Sequence, residues 1–119
     1  MANYAKYVQG DDTIDYTPSG DIAAGQVVVQ GDLVGVARTP IKANTLGSLA
    51  VEGVFDFPKA TGGGSGIAAG VKAYWKAADS TATASANDGA TPPVAYPLIG
   101  KVVAAAADAD ATVRVRLLQ

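Results

Sequence analysis

Apolar and polar residues alternate along much of this chain, and few segments show helical spacing. In Thr112–Leu117, three apolar residues fall on one face of an extended strand, and Arg114 and Arg116 fall on the other. Thr13–Tyr16 shows the same alternation. Both patterns predict half-buried strands rather than helices.

Further segments are short, rich in β-branched or aromatic residues, and bounded by turn-forming residues. They are residues 26–30, 33–37, 48–55, 71–76 and 98–103. Short strands separated by turns predict an all-β domain, either a small β-sandwich or a small β-barrel. Residues 102–111 contain consecutive alanines and allow a short helix. The strand-forming residues on both sides favour an extended segment that ends in a turn at residues 108–110.

Residues 59–66 and 79–93 lack any periodicity and are predicted to be loops with mobile tips. The first contains a Gly-rich run over residues 62–66, but Ile67 and Ala68 stand where a phosphate-binding loop has Lys and a hydroxyl residue. A plain surface loop is therefore predicted. The tetrapeptide Ile-Ala-Ala-Gly occurs twice, at residues 22–25 and 67–70. Four small residues are too few to define a repeat, and they predict the same kind of turn before a strand.

The chain has 119 residues, which is enough for one domain. It contains no Cys and no His, which excludes disulfides, thiolate nucleophiles and imidazole bases or ligands. The net charge of -2 does not indicate the basic surface that usually binds nucleic acid. No apolar run is long enough to span a membrane, and the first residues do not resemble a secretory signal.

Two groups of acidic residues offer carboxylates that are candidates for a site. Asp11, Asp12 and Asp15 offer carboxylates to a hard cation, but a solvated turn explains them better. Asp108 and Asp110 are two residues apart and could act as paired carboxylates, but a surface turn is again the better interpretation. We therefore predict no catalytic residue, no metal site, no cofactor and no small-molecule substrate, and so no enzyme.

Much of the 49% hydrophobic content is alanine, so the predicted core is small and oligomerisation would supplement it. The larger aromatic residues either fill this core or form an interface. They are Tyr4, Tyr7, Tyr16, Tyr74 and Trp75. For Tyr4 and Tyr7 an interface is favoured, because a terminal segment must dock somewhere to be ordered.

The order of segments resembles a bacteriophage family of capsid cement, or head decoration, proteins. This family was first catalogued as a domain of unknown function and has also carried the label of a RecA/RadA-type phage recombinase. The resemblance covers residues 1–4, 9–11, 13–17, 24–29, 31–37, 47–59, 70–75, 99–101 and 113–117. Its most specific segment is Val-Glu-Gly-Val-Phe at residues 51–55. Residues 79–93 follow no fixed family pattern.

The resemblance implies a small β domain that binds the outer surface of a phage head as a homotrimer, where major capsid subunits meet. The protein would be made in the bacterial host cytoplasm and end in the virion, with no nucleic acid or membrane as partner. We expect residues 1–16 to form an extended N-terminal arm and first strand, and residues 17–119 to form a single β domain. Extended termini commonly add a strand to a neighbour. The predicted capsid or subunit contacts are Tyr4, Lys6, Tyr7, Val8, Ile14 and Tyr16.

Two alternatives stay open on the sequence. Another structural phage β domain, of a tail tube or a fibre base, would have the same composition, because fold does not fix function. A DNA recombination factor is a remote alternative, since the chain lacks a Walker lysine and a basic groove.

Overall fold

The computed structural model describes residues 12–118, which contain nine β-strands and no helix. The strands are β1 Thr13–Tyr16, β2 Val27–Gln30, β3 Leu33–Val36, β4 Gly47–Ala50, β5 Gly53–Pro58, β6 Lys72–Lys76, β7 Thr81–Thr83, β8 Leu98–Ala104 and β9 Thr112–Leu117. The all-β prediction is confirmed. Residues 102–107 are extended and lead into a turn at residues 108–109, as expected.

The strands form two antiparallel sheets that pack against each other. The first sheet has the order β1-β4-β3-β2, and the second has the order β5-β9-β8-β6-β7. Beyond the end of β5, Lys59 makes a single parallel bridge with Ala82 of β7. One bridge does not close the second sheet into a barrel, so the sandwich alternative is the correct one.

Two predictions about strands were wrong. The predicted strand at residues 48–55 is two strands, because the chain leaves the first sheet after Ala50 and enters the second at Gly53. Gly53 has a φ of 126°, a conformation that glycine adopts readily. The predicted loop at residues 79–93 contains β7, which is only three residues long and pairs with β6.

The two sheets enclose the larger of two hydrophobic clusters. Its members come from both sheets and include Val34, Val36, Phe57, Ile67, Ala73, Trp75, Ala82, Ile99, Val102, Ala106, Val113, Val115 and Leu117. Trp75 is therefore a core residue, and its ring meets that of Phe57 edge-on with centroids 6.2 Å apart. The smaller cluster lies on the other face of the first sheet. It comprises Val28, Ala37, Ile41 and Leu49, with Ile14, Tyr16 and Ile22 packed against it.

The two sheets share one topology, so the described chain consists of two structural repeats. In the first repeat the chain order β1 to β4 gives the sheet order β1-β4-β3-β2. In the second repeat β5, β6, β8 and β9 give the same order, β5-β9-β8-β6, and β7 is added at the edge. The second repeat is thus longer by the segment that contains β7.

The two Ile-Ala-Ala-Gly tetrapeptides occupy equivalent positions in these repeats. Ile22 exchanges both backbone hydrogen bonds with Ile41, and Ile67 does the same with Ala106. In the first tetrapeptide the Gly25 N–H donates to the Ala37 carbonyl, four residues before Ile41. In the second, the Gly70 N–H donates to the Val102 carbonyl, four residues before Ala106. Each Gly has a positive φ, 84° and 86°. The repeated tetrapeptide therefore marks a structural repeat, contrary to our expectation.

Candidate interaction surfaces

Four of the predicted contact residues lie outside the described part of the chain: Tyr4, Lys6, Tyr7 and Val8. The other two, Ile14 and Tyr16, lie on β1 and are half-buried against the smaller hydrophobic cluster. Among the described strands, β1 is at the edge of the first sheet and pairs only with β4. The chain thus enters the described fold at a sheet edge, and the contact role of these residues stays a prediction.

The Asp12 carboxylate is held by an ion pair. Nη2 of Arg38 donates to Oδ2 of Asp12 over 2.8 Å, and the Arg38 guanidinium lies 6.0 Å from the centre of the Phe55 ring. The hydrogen bond from Arg38 lowers the pKa of Asp12 below its usual value. Within residues 12–118 no group of three or more acidic side chains is placed to hold a metal ion.

Asp108 and Asp110 bind backbone N–H groups separately and do not form a carboxylate pair. Oδ1 of Asp108 accepts from the Gly66 N–H at 2.6 Å, and Oδ2 accepts from the Gly64 N–H at 3.3 Å. Asp110 accepts from the Ala107 N–H at 2.8 Å. The surface turn was predicted, but the Gly-rich loop at residues 62–66 is tied to it rather than free.

Lys59 also holds the Gly-rich loop at residues 62–66 in place. It is 5% exposed, and its Nζ donates to the Ala60 carbonyl at 2.6 Å and to Oγ of Ser65 at 3.3 Å. A third, longer bond of 3.4 Å reaches the Asp108 carbonyl. These hydrogen bonds offset the free-energy cost of burying the Lys59 ammonium group. Lys59 therefore has a structural role.

The outward face of the second sheet carries every cation that the described strands contain. These are Lys72, Lys76, Lys101, Arg114 and Arg116. Two of them are neutralised. Nε of Arg114 donates to Oδ1 of Asp56 at 2.9 Å, a bond that lowers the pKa of Asp56, and Lys76 pairs with Asp79 at 2.8 Å.

The other three cations form a row across three neighbouring strands. Lys72 on β6 lies opposite Lys101 on β8, and Lys101 lies opposite Arg116 on β9. All three side chains are exposed, and the structure shows no ion pair for them within residues 12–118. We call Lys72, Lys101 and Arg116 the cationic row.

An apolar hollow adjoins the cationic row. It is a cavity of about 270 Å³ lined by Lys101, Val103, Arg116 and Leu118. The register of β8 against β9 shifts between Val102 and Ala104, so Val103 sits at a bulge. Val103 is 47% exposed and Leu118 is 43% exposed. Sequence analysis placed Arg116 outward, but it missed the row because the register that aligns these cations is tertiary.

Within the described residues, no helix could cross a membrane. Comparison with curated proteins and with solved structures found no similar chain. The family model described as phage cement protein matches residues 8–117, and so leaves out only a few residues at each end. A match over this much of the sequence shows that the chain belongs to the phage cement protein family.

Proposed function

We propose that this protein binds the outer surface of a phage head and stabilises the capsid by bridging major capsid subunits. The observation that carries the proposal is the family match over residues 8–117, which gives the chain a structural role in a phage capsid. The match gives no support to the recombinase label. The role requires no catalysis, only a folded domain that presents a binding surface.

Each bound copy stabilises the expanded shell by its own binding free energy, because it binds that state of the shell in preference to others. Many symmetry-related copies act together, so a modest affinity per copy is sufficient. We propose a homotrimer as the binding unit, which presents three equivalent contacts to the meeting point of capsid subunits.

The first experiment combines light scattering of the purified protein with co-sedimentation on expanded, undecorated phage heads. We expect a trimer that pellets with the heads. Protein that stays in the supernatant with heads but pellets with tail tubes would contradict the proposal and favour a tail component. A monomer that pellets with heads would support head binding and contradict a trimer formed in solution.

A second experiment tests the N-terminal arm. Deletion of residues 2–9 is expected to weaken head binding strongly and to leave the free energy of unfolding nearly unchanged, because residues 17–119 are proposed to fold as a single domain. A variant with residues 2–9 in scrambled order is the matched control, since it keeps length and charge. Unchanged head affinity after deletion would show that the arm is not the contact.

A further inference from the structure

The cationic row is unfavourable for the fold that carries it. Like charges placed directly opposite each other on neighbouring strands destabilise a sheet. Neutral polar residues would keep this face soluble without that repulsion. The chain as a whole has a net charge of -2, so three unneutralised cations on one face are not a consequence of a basic composition. They are therefore candidates for contact with a partner.

In the first repeat, the residues at positions equivalent to the cationic row pack against the second sheet. There, Val27 lies opposite Val36, and Val36 lies opposite Ala50. Val36 is 4% exposed and belongs to the larger cluster, and Val27 packs against that cluster. The row that docks the first sheet on the second is thus apolar, whereas its equivalent in the second sheet is cationic and exposed. The second sheet is suited to a partner of different chemistry.

The hollow beside the row favours a protein as that partner. Exposed apolar side chains flanked by charged ones are typical of protein interfaces, in which an apolar centre is surrounded by a polar rim. A nucleic acid backbone would be bound through its phosphates by cations alone, and would leave Val103 and Leu118 exposed.

A second copy of this chain does not offer the complementary surface. The described strands contain only two carboxylates, Asp15 and Asp56, and Asp56 is already paired with Arg114. No face of the described sheets therefore presents a row of free carboxylates to match three cations. The remaining carboxylates of the described chain lie in its loops. We therefore assign the complement to another protein, and a second copy is an outcome that the test distinguishes.

We propose that the cationic row and its hollow dock on a surface of the major capsid protein that presents carboxylates around an apolar side chain. That the partner is the major capsid protein rests on the proposed function. That the partner surface is acidic around an apolar centre rests on the cationic row and the hollow. Charges at the rim of such an interface mainly set the association rate and its dependence on salt.

The test compares Lys101→Glu with Lys42→Glu in binding to undecorated heads. Both residues are exposed, and the two variants change the net charge equally. We expect Lys101→Glu to bind heads on the order of tenfold more weakly, with a flatter dependence on NaCl concentration than the wild type. Lys42→Glu should bind like the wild type. Thermal unfolding of each variant checks that both are folded.

A second pair of variants tests the apolar hollow without changing charge. Val103→Ser is expected to weaken head binding severalfold, and Val94→Ser, at another exposed valine, is the matched control. Equal binding by Lys101→Glu and Lys42→Glu would overturn the inference and leave the proposed function standing. Failure of the wild type to bind heads would instead overturn the proposed function, and with it the capsid as partner.

Two other results would also overturn the inference. Loss of trimer mass in Lys101→Glu, seen by light scattering, would make a second copy the partner of this face. Binding of the wild type to double-stranded DNA that Lys101→Glu abolishes would make the face a nucleic-acid site.

Discussion

Gly100 lies on β8, beside the backbone of β9. A Cβ atom at this position would overlap the carbonyl oxygen of Arg116. Gly35 occupies the equivalent position of the first repeat, where a Cβ would lie 3.0 Å from the Cβ of Leu49. Both repeats therefore have glycine where the neighbouring strand comes close; a side chain at Gly100 would overlap the backbone of β9, whereas one at Gly35 would require Leu49 to shift slightly.

Gly100→Ala is expected to lower the free energy of unfolding by about 2–4 kcal/mol, because the backbone of β9 has to move to admit the methyl group. Gly20→Ala is the control, since no atom lies within 4 Å of a Cβ there, and its effect should stay within about 0.5 kcal/mol. Urea unfolding measures both. Equal stability of the two variants would contradict the close approach of β8 and β9.

The carboxylate of Asp88 is expected to make the free energy of unfolding sensitive to acid. Hydrogen bonds from the Val94 and Ala90 N–H groups lower its pKa in the folded protein. A lowered folded pKa contributes stability that is present above the unfolded pKa of about 3.9 and is lost as pH falls through the folded pKa. Asp12 and Asp56 act in the same direction.

Stability is therefore expected to fall below about pH 4, and Asp88→Asn should make that fall shallower. Urea unfolding at several pH values between about 2 and 6 measures the effect. Asp32→Asn, in the exposed turn between β2 and β3, is the control. An unchanged pH profile for Asp88→Asn would show that the carboxylate of Asp88 does not contribute in this way.

At the scale of elements, the turn at Asp108 and the Gly-rich loop form one unit. The side-chain carboxylate of Asp108 accepts hydrogen bonds from the Gly64 and Gly66 N–H groups. The backbone carbonyl of Asp108 accepts from the Gly62 N–H and from Oγ of Ser65. Segments more than forty residues apart in sequence thus hold each other in place. Glycine content alone suggested a mobile loop, because a partner at this sequence distance leaves no local signal.

Asp108→Ala is expected to lower the free energy of unfolding by about 1–3 kcal/mol, because two backbone N–H groups lose a charged acceptor. Hydrogen exchange at Gly64 and Gly66 should become faster. Asp110→Ala is the control, since among the described residues the Asp110 carboxylate accepts only from the Ala107 N–H, three residues away. Protection of Gly64 and Gly66 that survives Asp108→Ala would contradict the role of this carboxylate.

The strands that the sequence predicted well are those whose alternation is complete within the strand. β9 and β1 have their predicted bounds. β7 was missed because three residues carry too little pattern and gain their structure from pairing with β6. The break between β4 and β5 was missed because the residues on both sides favour strands, and only the change of sheet separates them.

At the scale of the whole molecule, the two repeats bury different faces. Val36 and Lys101 occupy equivalent positions in their sheets, yet Val36 is buried between the sheets and Lys101 faces outward. The first sheet uses this face to pack on the second sheet. The second sheet leaves it open, and that asymmetry creates the candidate surface for a partner.

Exchanging these residues tests the asymmetry. Val36→Lys is expected to lower the free energy of unfolding by roughly 3 kcal/mol or more, because it buries an unpaired charge between the sheets. Lys101→Val should leave stability unchanged or raise it by up to about 1 kcal/mol, because it removes a like-charge contact. Urea unfolding measures both. Similar losses in the two variants would contradict the assignment of buried and open faces.

The sequence by itself determined the all-β class, most of the strands and the absence of imidazole and thiol chemistry, because alternation and composition are local properties. It also carried the family resemblance, which the match over residues 8–117 supports. The tertiary structure decided the sheet order, the two repeats and the alignment of Lys72, Lys101 and Arg116. Strand register joins residues that are distant in the chain, so a charged row across three strands exists only once the sheet has formed.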